Sequence, residues 1–130
     1  MPANNGFTYM DHYGRKWNGP FHFNLNNIIG NAPREFGVYQ VIKKNGNQQE
    51  VMYIGIATGK TILERLRSHC TGLGNKHIAG IGNTSEFWFS YWLCDPLSAK
   101  QIESNVITNQ KPPFNIRSEY QHYIESIYIH

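Results

Sequence analysis

Charge is scarce in this chain. Asp, Glu, Lys and Arg make up only 16% of its 130 residues, while aromatics reach 14% and hydrophobics 40%. That balance excludes a disordered chain, which lacks the apolar surface needed to offset its ordering entropy. Cysteine is scarcer still: Cys70 and Cys94 are the only two, far apart and without metal-ligand spacing. They read as buried thiols in a reducing compartment, not as a disulfide framework. The six histidines (His12, His22, His69, His77, His122, His130) form no HxxxH pair and no Cys/His cluster, which argues against structural zinc. No apolar run approaches the ~18 residues of a membrane span, and the N-terminus carries no signal-peptide pattern. The expected location is the cytoplasm, with no membrane partner. A net charge of +3 and a pI near 8.9 are compatible with a polyanionic partner without demanding one.

The length suits one domain with a core of its own, and there is no internal repeat or separating linker. Residues 1–32, rich in Asn, Gly and aromatics, read as an N-terminal arm packing on a domain of residues 33–130. The start, 1–6, is expected to be loose. Phe21-His22-Phe23 alternates as a short extended segment does, with Trp17 as a further anchor. Leu25 to Ile29 fits a short helical turn, broken at Asn31-Ala32-Pro33.

The informative stretch runs from Gly37 to His69. Residues 37–41 and 51–54 are β-formers, and between them Asn45-Gly46 is a strong hairpin signal. Tyr39 and Tyr53 therefore belong on adjacent antiparallel strands. Thr61 and Glu64 form a capping box, predicting a helix to about Thr71, with Gly72 and Gly74 to stop it. On that helix Ile62, Leu63, Leu66 and Cys70 share an apolar arc, and Arg65 and His69 stack four apart on its flank, at the edge of the core. Phenols and cations gathered in one place suit the handling of a phosphate.

Residues 76–83 read as a Gly-rich loop, and Phe87 to Leu93 as an aromatic third strand. Asp95-Pro96 reads as an N-cap followed by an N1 proline, opening a helix to about Thr108. Its apolar side carries Ala99, Ile102, Val106 and Ile107, and Glu103 falls inside that arc. A carboxylate there is costly unless it is paired or bound to a cation. Lys111-Pro112-Pro113-Phe114-Asn115 turns the chain back towards the core. Residues 119–130 suit a last helix or a last strand equally.

Taken in order, these residues resemble the GIY-YIG nuclease superfamily over roughly residues 33–117. Gly37-Val38-Tyr39 stands for the first motif and Tyr53-Ile54-Gly55 for the second, joined by a hairpin. Arg65, followed by Leu66 and by His69 four residues on, fits the family's arginine better than Arg67 does. Glu103, ahead of Pro112-Pro113-Phe114-Asn115, fits its metal-binding glutamate and the segment ending in Asn. Val38 replaces the usual Ile, and Ile56-Ala57-Thr58-Gly59 is looser than the usual loop.

The resemblance implies a small α/β (α+β) fold, with a three-stranded, mainly antiparallel sheet flanked by helices. It implies a metal-dependent DNA endonuclease using one Mg²⁺ or Mn²⁺ held by Glu103. Arg65 would lie on the phosphate, with Tyr39 or Tyr53 as base or water positioner, Tyr39 being favoured. Asn115 would order the site, and His69 would support a tyrosine or the phosphate. Backbone contacts to DNA are expected from Lys43, Lys44, Lys60, Arg67 and Lys76. Specificity would come from DNA structure, a second copy or a partner protein. The alternative is a non-catalytic nucleic-acid-binding module on the same scaffold.

Overall fold

The computed structural model describes residues 8–10, 14–45, 48–71 and 86–115. Its elements are β1 (Thr8–Met10), β2 (Lys16–His22), α1 (Leu25–Asn31), β3 (Gly37–Asn45), β4 (Gln48–Ala57) and α2 (Ile62–Cys70). They are followed by β5 (Phe87–Leu93), α3 (Pro96–Gln110) and a single turn, α4 (Pro113–Asn115). The hairpin sits where the sequence puts it: Asn45 pairs with Gln48. The turn across residues 46–47 lies outside the described residues, as do residues 1–7, 11–13, 72–85 and 116–130.

The fold class is as expected, and the sheet is wider. All pairings are antiparallel, and the order is β1-β2-β5-β3-β4, five strands instead of three. The expected three are β5, β3 and β4. The other two come from the leading residues, where β2 pairs with β5 and covers an edge that would otherwise be open. This pairing escapes a local reading because Gly19-Pro20 interrupts β2 and its register shifts between Asn18 and Phe21. Trp17 and Phe21 are nevertheless buried.

Side chains alternate across a sheet, and here the alternation divides two cores. One face packs Tyr39, Val41, Tyr53, Phe87, Phe89 and Tyr91 against Ile28 of α1 and Ile62, Leu63 and Leu66 of α2. The other packs Trp17, Val38 and Ile54 against Ala99, Ile102 and Val106 of α3. Fully burying one such aliphatic side chain contributes about 1.5–3 kcal/mol. At the start of β3, a Cβ on Gly37 would run into the Trp92 carbonyl oxygen, so the strands close only around a glycine.

Both long helices are held at their starts. In α2 the Thr61 hydroxyl accepts from the Glu64 N–H at 3.2 Å, and the Glu64 carboxylate accepts from the Thr61 N–H at 2.9 Å. The Ile62 and Leu63 N–H groups donate to the carbonyls of Glu35 and Pro33 at 2.9 and 3.0 Å. The helix start is thus tied directly to the loop that feeds β3. In α3, Asp95 accepts from the Ser98 N–H at 2.7 Å, with Pro96 in the first turn. Among the described residues no helix is long and apolar enough to cross a membrane.

Candidate active site

Tyr39 on β3 and Tyr53 on β4 project from the same face of the sheet, with ring centroids 6.2 Å apart. His69, from the last turn of α2, closes the group: its ring centroid lies 5.7 Å from Tyr39 and 5.2 Å from Tyr53. The Tyr39 hydroxyl and His69 Nε2 share a hydrogen bond of 2.8 Å. His69 was expected at the core's edge and is instead buried, with 1% of its surface exposed. Cys70, expected in the apolar arc, is only half-buried, and burial pushes its thiol pKa up.

Burial, and then the nearby positive charge of Arg65, lower the His69 pKa to about 4. The imidazole is therefore neutral near pH 7. The bond to its Nε2 fixes the position of the Tyr39 hydroxyl.

Arg65 stands one turn before His69 on α2 and is half-buried. Asn115 is buried and brackets the backbone of Ile54. Its Oδ1 accepts from the Ile54 N–H at 2.8 Å and its Nδ2 donates to the Ile54 carbonyl at 3.0 Å. The outer edge of β4 is thereby closed at the centre of the Tyr53-Ile54-Gly55 motif. Glu103 is half-buried on α3, beside Ile102 and Val106 of the core on the opposite face. The tyrosines and His69 thus come together on one face of the sheet, and Glu103 is carried by the helix on the other.

Neighbours on a strand alternate, so Lys43 shares the face of Tyr39 and Lys44 the opposite one. Lys43 lies 3.8 Å from Glu86 in an exposed ion pair, which contributes little. Lys44 Nζ lies 4.4 Å from the centroid of the Trp88 ring, and His22 stacks on that ring at 3.6 Å. Lys60 and Arg67 are exposed at the start and on the surface of α2, and Lys76 lies outside the described residues. Tyr91 and Gly55 were not singled out as site residues. They are the register partners of Tyr39 on its two sides, a signal visible only once three strands are aligned.

The profile of the GIY-YIG catalytic domain matches residues 35–117, well over half of the chain. The chain belongs to the GIY-YIG nuclease superfamily. Among solved structures it is similar to the GIY-YIG N-terminal endonuclease domain of UvrC from Thermotoga maritima. One structure of that domain, bound to its catalytic magnesium, is 29% identical, with a TM-score of 0.50, and the match covers 69% of this chain and 92% of that one. A tyrosine-to-phenylalanine point mutant of the same domain, also bound to the catalytic divalent cation, is 28% identical with the same TM-score and the same coverage. No curated protein sequence matches the chain.

Proposed function

We propose that this chain is a metal-dependent endonuclease that hydrolyses a DNA phosphodiester with the Tyr39–Tyr53–His69 cluster, Arg65 and Glu103. The observation that carries this reading is the buried Tyr39–His69 hydrogen bond beside Tyr53. It joins both family motifs to the helix that bears the arginine. The magnesium-bound domain of Thermotoga maritima UvrC supports the choice of cation.

The donor set also fits a hard cation. Among the described residues no three of His, Cys, Asp and Glu gather as a metal cluster. Glu103, at the position of the family's metal-binding glutamate, is the carboxylate that would hold an ion such as Mg²⁺, which keeps several of its waters. When bound, the cation supplies Lewis-acid polarisation of the phosphate and stabilisation of the leaving oxygen. Arg65 lays its planar fork on a non-bridging phosphate oxygen and offsets the charge that develops there. In the His69 tautomer that leaves Nε2 unprotonated, the Tyr39 O–H donates to it, and the phenolic oxygen's lone pairs accept from the attacking water and hold it in line. Tyr39 takes the water's proton only as its own proton passes to His69 Nε2 in the same step, and the positive charge of Arg65 favours the phenolate character that this requires. Tyr53 lines the same pocket, and Asn115 fixes the strand that bears it.

Lys43, on the face of Tyr39, and Lys60 and Arg67, exposed at the start and on the surface of α2, are the contacts to the DNA backbone. Lys44 projects to the other face, that of the helix bearing Glu103. One site cuts one strand, so the product is a nick, and a double-strand break needs a second chain or a second visit.

Plasmid nicking tests this reading, run with Mg²⁺, with EDTA, and with Glu103→Ala. Nicking that requires Mg²⁺ and is lost in the folded variant is expected. Activity that survives EDTA or Glu103→Ala would overturn the assignment of the metal ligand, and DNA binding without any nicking would overturn the enzyme.

A further inference from the structure

Three positions lie in one row across the sheet on the face of the cluster: Tyr91 of β5, Tyr39 of β3 and Gly55 of β4. Tyr39 is the centre of the row, and its two neighbours differ as much as two residues can. Tyr91 is a buried ring in the same core, at the close spacing of directly opposed cross-strand residues. Gly55 offers no side chain at all. A Cβ placed on Gly55 would lie 2.5 Å from the Tyr39 hydroxyl, 2.6 Å from its Cζ and 3.0 Å from a ring carbon of Tyr53. Gly55 is not among the residues with a left-handed backbone, so the glycine is required here by space and not by φ.

We propose that Tyr91 and Gly55 are positioning residues for Tyr39: Tyr91 fills one flank, Gly55 empties the other, and the ring lies across β4 with its hydroxyl delivered to His69. A ring on β3 with equal neighbours would stand upright from the sheet. With a bulky ring on one side and a bare Cα on the other, it leans towards the bare side, where it meets Tyr53 and His69. The catalytic side of this inference rests on the nuclease reading; the geometric side does not.

The test uses ¹⁵N NMR of the His69 imidazole, which reports the Tyr39 hydrogen bond whether or not the chain cuts DNA. Tyr39→Phe gives the shift of Nε2 when the bond is absent. Gly55→Ala is expected to reproduce that shift, and Tyr91→Ala to reproduce part of it. A folded Gly55→Ala with the wild-type Nε2 resonance would overturn the proposal. If Gly55→Ala fails to fold, the double variant Gly55→Ala/Tyr39→Ala decides. Recovery of the fold supports a conflict with the Tyr39 ring, and continued failure means that Gly55 serves the backbone and the proposal is wrong. Nicking is a separate readout: a turnover loss of tenfold or more in Gly55→Ala, with KM for DNA nearly unchanged, is expected. A wild-type chain that cuts no DNA would defeat the nuclease reading and leave the NMR result standing.

Discussion

The two faces of the sheet are built from the same strands and carry different groups, the tyrosine–histidine cluster on one and the helix that bears Glu103 on the other. Val38 and Ile54 point into an apolar core under α3. Their immediate neighbours Tyr39 and Tyr53 point to the other side, where they meet His69. Each motif is therefore a division of labour with a period of two. In Gly37-Val38-Tyr39 the glycine admits the Trp92 carbonyl, the valine anchors the strand and the tyrosine meets His69. In Tyr53-Ile54-Gly55 the tyrosine packs on His69, the isoleucine anchors, and the glycine leaves space that the Tyr39 hydroxyl occupies. The same two faces explain why Ile54 needs Asn115. A strand that must hold a phenol at fixed height cannot leave its edge groups unpaired, and Asn115 supplies both partners.

If the faces are separable in this way, substitutions on them should have separable effects. Ile54→Ala opens a cavity in the apolar core and is expected to cost about 2–5 kcal/mol in chemical denaturation. The nicking rate per folded molecule should fall less than in Tyr53→Phe, since no group of the tyrosine–histidine cluster is removed. Tyr53→Phe should show the reverse, a depressed rate with stability nearly kept. Were both variants to lose stability and rate together, the faces would not be independent.

The site face should also respond to acid. The folded pKa of His69, about 4, lies below the ordinary ~6.5 of histidine. The unfolded chain therefore takes up a proton that the folded chain refuses. Stability contributed by the neutral ring is complete above pH ~6.5 and is lost as pH falls towards 4, by roughly 3 kcal/mol. Denaturation of wild type and His69→Gln at pH 7 and pH 4 measures this, the variant showing a loss smaller by that amount. An equal pH dependence in both would mean that His69 is not neutral by burial.

A smaller effect sharpens the link between the faces. Asn115→Ala strips two partners from the Ile54 backbone and should cost about 1–3 kcal/mol. The rate should fall along with it, since the strand it loosens bears Tyr53. Loss of stability with the rate intact would make Asn115 a structural residue alone.

Much of this was legible in the residues, for local reasons. The hairpin, both helix caps and the segment ending in Asn115 announce themselves by short-range chemistry, and each is where it was read. What depends on long-range pairing was not legible. β2 joins β5 through a register shift, and no window of residues 16–22 contains its partner. His69 read as a flank residue because a helical wheel cannot show that two tyrosines close over the flank. Lys43 and Lys44, both expected at the DNA backbone, stand on opposite faces of β3 by the strand alternation that separates Val38 from Tyr39.

The measurement that bears most directly on the site is single-turnover nicking by Tyr39→Phe, at saturating protein, with Mg²⁺ and with DNA binding followed in parallel. Phenylalanine keeps the ring and removes the hydroxyl that faces His69. The predicted result is a cleavage rate lower by about 100-fold or more, with DNA affinity nearly unchanged. A Tyr39→Phe chain that nicks at the wild-type rate would contradict the role assigned to this face of the sheet.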